Sequence, residues 1–141
     1  MAPSRTLVAT RILVVEDDPL LGMLVGATLD ELGYAVCGLA TTQDDAVADA
    51  MRHRPDLMIV DVRLGNGSGV YAMDEILRTI SIRHFYMSGN LAQIRAIRPD
   101  VASLQKPFTA TELHHAIQST LASGPPRLAA RPIDRASSTS V

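Results

Sequence analysis

Two uninterrupted apolar runs, Ile12-Leu13-Val14-Val15 and Leu57-Met58-Ile59-Val60, each break off in carboxylates. Glu16-Asp17-Asp18 follows the first and Asp61 the second. Neither run alternates with polar residues, so neither fits a strand with one wet face, and both are short for a buried helix. A brief run of this kind fits a strand covered on both faces, as in the parallel sheet of an α/β protein. The acids then fall beyond the carboxyl ends of strands, where open α/β sheets bind their ligands. An acid there is costly to bury unless a cation stands beside it.

The rest of the chain keeps this alternation. Residues 1–10 have no period and read as a flexible lead-in. Arg11–Val15 is the first strand; Asp18 then caps, and Pro19 opens, a helix over 19–32 that Gly33 stops. Its spacing puts Leu21, Leu24, Val25, Thr28, Leu29 and Leu32 inward, leaving Gly22, Met23, Gly26 and Ala27 outward. Residues 34–40 form the second strand, and Thr42 caps a helix through Met51 with acids in its first turn. The third strand ends at Asp61 and passes into Arg63-Leu64-Gly65-Asn66-Gly67-Ser68-Gly69, which breaks the pattern with three glycines. A third helix over 70–79, a fourth strand over 84–87 ending at Ser88-Gly89-Asn90, and a short helix over Leu91–Ile97 follow. A weak fifth strand over 101–105 runs into Lys106-Pro107, and Thr109 or Thr111 caps a last helix with Leu113, Ala116, Ile117 and Leu121 inward. Five strands alternating with five helices predict one α/β domain over 11–121. The expected fold is a flavodoxin-like, doubly wound parallel sheet in the order 2-1-3-4-5, with the fourth helix short. Residues 122–141 turn to Ser, Gly, Pro, Arg and Ala, with too little apolar surface to offset the entropy of ordering, and read as a disordered tail.

Composition narrows the function. A net charge of −2 argues against nucleic-acid binding, which needs a concentrated basic surface. The single cysteine, Cys37, excludes an internal disulfide and fits a reducing cytoplasm. No apolar run has the length of a membrane span, and residues 1–10 lack the apolar core of a secretory signal. A cytoplasmic protein is expected.

In the order 2-1-3-4-5 the first and third strands are neighbours, which brings Glu16, Asp17 and Asp61 together. Carboxylates at such range repel, and either one takes up a proton or a cation joins them. An all-oxygen donor set suits Mg²⁺. Ser88 ends the fourth strand with a hydroxyl donor and Lys106 the fifth with an ammonium. Carboxylates, a metal, a lysine and a hydroxyl make a clamp suited to a phosphoryl group in transit. His53, His84, His114 and His115 are scattered and read as structural or surface residues.

Val15-Glu16-Asp17-Asp18-Pro19, Val60-Asp61-Val62, Met87-Ser88-Gly89 and Gln105-Lys106-Pro107-Phe108 resemble the motifs of response-regulator receiver domains, in that order and each at a strand end. The resemblance implies that Asp61 is the phosphoacceptor, that Asp17 binds Mg²⁺ directly with Glu16 acting through water, and that the metal also takes the Arg63 backbone carbonyl. It implies Ser88 as the switch hydroxyl, Lys106 as the lysine on the phosphoryl oxygens, and a cis Lys106–Pro107 bond. It implies a histidine kinase or histidine phosphotransfer protein as partner and a downstream protein the sequence does not name, and it leaves a homodimer open. Chemistry is expected to be confined to the chain's own Mg²⁺-dependent phosphorylation and dephosphorylation, as in a stand-alone response regulator or phosphate sink. The alternative is a receiver-like interaction module that works without phosphorylation. Two departures bear on switching. Receivers usually carry an aromatic three residues before the lysine, where Ser103 stands, and the stretch from Ser88 to Lys106 is short. Both resemble a subset of single-domain regulators with a Phe-x-Thr-Gly-like strand end.

Overall fold

A computed structural model describes residues 8–123. The expected lead-in and tail lie outside the described residues, apart from 8–10 and 122–123, which carry no helix or strand. Five strands form one parallel sheet: β1 (Arg11–Val15), β2 (Ala35–Ala40), β3 (Leu57–Asp61), β6 (Arg83–Ser88) and β7 (Ser103–Gln105), in the order β2-β1-β3-β6-β7. This is the expected order, with β6 and β7 as the fourth and fifth sheet strands. The two intervening labels belong to a ribbon the sequence pattern did not reveal, Arg63–Leu64 (β4) antiparallel to Gly67–Ser68 (β5).

Strand alternation divides the core into two layers. Leu13, Val15, Met58, Val60 and Tyr86 point to one face, beneath α2 (Gln43–His53), α3 (Gly69–Leu77) and α4 (Leu91–Ile97). Ile12, Val14, Leu57, Ile59, Phe85 and Met87 point to the other, against α1 (Pro19–Glu31) and α5 (Ala110–Leu121). Every residue of β3 is buried, which accounts for its unbroken apolar run. The helix starts follow the expected chemistry. Asp18 Oδ1 accepts from the N–H groups of Leu20 and Leu21, Thr42 caps α2, and Thr109 with Glu112 forms a capping box on α5. The Lys106–Pro107 bond is cis. No helix of the described residues is long and apolar enough to cross a membrane.

Helix α1 is rotated in part from the expected face. Gly22 and Leu29 are its buried residues, while Leu20 is 65 %, Met23 62 % and Leu24 56 % exposed. A Cβ at Gly22 would lie 3.8 Å from Glu16 Cβ, and one at Gly26 would lie 3.9 Å from Leu39 and Val36. The glycines therefore mark the stripe that lies against β1 and β2. Val25, Thr28, Leu29 and Leu32 lie on the inward side as expected, while Leu21 and Leu24 are displaced outward by Gly22 and Gly26. From Pro19 to Leu29 the helix carries no charge, so no polar face fixed which stripe turns inward.

The glycine-rich stretch has more order than a loop. Gly65 turns the ribbon at a φ of +58°, and Gln43 Oε1 on α2 accepts from the Ser68 N–H at 2.9 Å. Gly69 opens α3 so close to β3 that a Cβ there would sit 2.0 Å from the Asp61 carbonyl oxygen and 2.6 Å from Val60 Cγ1.

Candidate functional site

The reversal of strand order between β1 and β3 places Glu16, Asp17 and Asp61 at one crevice. One oxygen from each of the three carboxylates can be chosen so that all lie within 4.8 Å of one another. Glu16 is 3 % exposed and Asp61 7 %, whereas Asp17 is exposed at the rim. Lys106 supplies the cation that such burial requires. Its Nζ donates to Glu16 Oε1 and to Asp61 Oδ2, both at 3.0 Å. Three of the remaining oxygens are held by backbone: Asp18 N–H donates to Glu16 Oε2 at 3.2 Å, Gly65 N–H to Asp17 Oδ2 at 3.0 Å, and Arg63 N–H to Asp61 Oδ1 at 3.4 Å. The cleft above them, about 430 Å³, is lined by these acids together with Asp18, Leu21, Arg63, Gly65, Gly89 and Lys106.

Charge balance decides the electrostatics. Burial pushes the Glu16 carboxyl up to about 7; the Lys106 hydrogen bond opposes this, and the nearby Asp61 carboxylate adds to it. Burial works against the Lys106 ammonium, but its hydrogen bonds to Glu16 and Asp61 outweigh that and hold its pKa above the usual lysine value. One lysine against three carboxylates leaves an excess of negative charge. With oxygens as the only donors, the set fits a hard divalent cation such as Mg²⁺.

Ser88 makes its contacts within the chain, and Asp18 is the helix cap the sequence predicts. Ser88 ends β6 and is buried; its Oγ donates to the Asn90 carbonyl at 3.1 Å and accepts from the Asn90 N–H at 2.9 Å. An aromatic does stand beside position 103, on the neighbouring strand. Tyr86 pairs in register with Ser103, is 1 % exposed, and lies edge-on to His84 with ring centroids 5.3 Å apart. Burial raises the Tyr86 phenol and lowers the His84 imidazole from their ordinary pKa values. Under α4, Arg98 forms an ion pair with Asp74 of α3. Of the other histidines, His114 Nδ1 meets the Tyr34 hydroxyl at 3.0 Å, a structural contact.

Sequence reasoning did not find Gln105, whose Nε2 donates to the Gly89 carbonyl at 2.8 Å. Its position beside Lys106 was the available signal, but the turn it touches is set by strand register. The exposed apolar ridge of α1 was missed for the reason given above. It borders a second groove of about 420 Å³ lined by Glu16, Leu21, Leu24, Val25, Lys106 and Phe108 among others.

A family model described as the response regulator receiver domain matches residues 12–118. The chain is 33 % identical over 117 residues to the phyllosphere-induced regulator PhyR of Methylorubrum extorquens, covering 80 % of this chain and 44 % of that protein. It is 30 % identical to the chemotaxis protein CheY of Bacillus subtilis, covering 80 % of this chain and 98 % of that one. The crystal structure of the response regulator PhyR from Brucella abortus superposes with a TM-score of 0.75 at 30 % identity, over 82 % of this chain and 49 % of that one. The chain thus spans about half the length of the PhyR proteins it matches.

Proposed function

The chain belongs to the response regulator receiver domain family, and from that membership we propose that it takes a phosphoryl group on Asp61 from the phosphohistidine of a kinase or phosphotransfer protein. Receiver domains are in general signalling modules that do not turn over external substrates. The observation that carries the reading is Lys106 bridging Glu16 and Asp61 at 3.0 Å in an otherwise acidic cleft. An isolated carboxylate repels a phosphoryl donor, and a lysine already in contact offsets that repulsion on the side where the phosphoryl oxygens arrive.

An Asp61 oxygen attacks phosphorus in line, the new O–P bond forming as the N–P bond to histidine breaks, and the leaving imidazole takes up a proton. Lys106 keeps its charge on the incoming oxygens, and Ser88 turns its single hydroxyl proton to one of them. Asp17, Asp61, the Arg63 carbonyl and, through water, Glu16 would hold Mg²⁺, which neutralises charge on the transferring group. Water later attacks the aspartyl phosphate and releases inorganic phosphate with Asp61 restored. The donor's histidine-bearing helix seats on the exposed ridge of Leu20, Leu21, Met23 and Leu24, from which Leu21 reaches the lining of the cleft. Gly22 and Gly26, expected to face outward, are turned inward and have no part in this. A cytoplasmic location, and signalling by protein contacts or as a phosphate sink, complete the reading.

Incubation with Mg²⁺ and radiolabelled acetyl phosphate tests it. Wild type should label and Asp61→Asn should not; undiminished labelling of the Asn variant would overturn the assignment.

A further inference from the structure

Ser88 and Gln105 are register partners on β6 and β7, and both hold the same turn. Ser88 Oγ binds the Asn90 carbonyl and N–H, while Gln105 Nε2 donates to the Gly89 carbonyl at 2.8 Å and reaches the Lys106 carbonyl at 3.2 Å. Asn90 in turn caps α4, its Oδ1 accepting from the Gln93 N–H at 3.3 Å. Gly89 and Asn90 are exposed, and nothing lies within 4 Å of where a Gly89 Cβ would be. Hydrogen bonds, not packing, therefore set where the turn sits.

A serine hydroxyl has one proton to give. When Ser88 gives it to a phosphoryl oxygen, the Asn90 carbonyl loses its donor, and the Gln105–Gly89 hydrogen bond is what then stands against the turn following Ser88. Gln105 also directly precedes Lys106. This dipeptide thus touches the acid cluster through one side chain and the turn before α4 through the other. We propose that Gln105 is a positioning residue that holds the β6–α4 turn in its unphosphorylated place and opposes the movement of Ser88 toward the phosphoryl group. The proposal rests on the phosphoacceptor reading of Asp61. It gives the switch an anchor that needs no aromatic at position 103.

A contact that favours one of two states weakens any ligand that selects the other, by the factor the contact is worth. Beryllofluoride with Mg²⁺ is the probe, its binding followed by fluorine NMR. Gln105→Met keeps the length and removes the donor; Gln105→Arg returns a donor of similar reach. The Met variant should bind beryllofluoride about fivefold more tightly than wild type, the worth of one neutral hydrogen bond. The amides of Gly89 and Asn90 should exchange faster in its free form by a similar factor, and Arg should restore both toward wild type. A side chain that merely supports the fold would loosen the turn without raising affinity. If wild type binds and the Met variant binds no more tightly, the anchor is refuted while the phosphoacceptor reading stands. If wild type itself takes up no beryllofluoride, that reading fails and the inference falls with it.

Discussion

Glu16 offers the most direct test of how the cleft is balanced. Its carboxyl is pushed from the ordinary 4.5 to about 7, first by burial. An acid whose pKa is raised by folding contributes stability that is complete below pH 4.5 and is lost as pH rises through 7. At about 1.4 kcal/mol per pH unit, that interval amounts to about 3 kcal/mol. Glu16→Gln replaces the titrating group with one that stays neutral. The glutamine cannot accept from both Lys106 Nζ and the Asp18 N–H through its oxygen, as the carboxylate does, but that loss is the same at every pH. The informative quantity is the change with pH in the difference between the two proteins. Urea unfolding of both, in chelator from pH 4.5 to 8, should show the variant gaining about 2–3 kcal/mol on wild type across the range. Contributions from His84 and from carboxylates outside the cleft are common to both and cancel, so the difference reports Glu16 together with the Asp61 and Lys106 groups it is coupled to. Saturating Mg²⁺ should restore wild type most at the alkaline end, where Glu16 is charged. Two stability curves that stay parallel from pH 4.5 to 8 would refute the account of Glu16.

Two further variants test the packing around the site. The Cβ positions at Gly22 and Gly26 meet their neighbours at 3.8–3.9 Å, ordinary contact distances. Gly22→Ala with Gly26→Ala should therefore stabilise the protein by about 1–2 kcal/mol through helix propensity; a lowered urea midpoint would show that α1 has no room to spare. Gly69→Ala places a methyl 2.0 Å from the Asp61 carbonyl, and should cost about 3 kcal/mol or more and lower the acetyl phosphate labelling rate. Unchanged stability would mean that α3 can move away from β3 freely.

The fold was legible because the buried strands advertise themselves. β1 and β3 are apolar without alternation since helices cover both faces, and the caps at Asp18, Thr42 and Thr109 are local hydrogen-bonding chemistry that short stretches encode. The order 2-1-3-4-5 came with the fold type, and the meeting of the acids followed from it. The facing of α1 was legible only in part: Val25, Leu29 and Leu32 turn inward as their spacing requires, but Leu21 and Leu24 give way to Gly22 and Gly26, because a helix without charged residues through most of its length has no polar side to anchor it. The β4–β5 ribbon escaped for a related reason. Its two-residue strands have no pattern of their own and depend on Gln43, a residue of another helix. At the site, Glu16, Asp17, Asp61 and Lys106 converge as the pattern required. Gln105 could not be placed without knowing that it stands opposite Ser88, and that register is set across two strands.

Tyr86 and Ser88 stand two residues apart on β6, their side chains on one face of the sheet. The ring is locked among core residues, so it cannot swing on its own the way a side chain at a sheet edge can. Movement is left to Gly89 and Asn90, exposed and tied by a few hydrogen bonds. Exposed turns rearrange in nanoseconds to microseconds. If Asp61 takes a phosphoryl group as proposed, the duration of a signal would then be set by the making and breaking of the phosphoryl bond and by partner release. The conformational step itself would be a rapid pre-equilibrium that adds no delay.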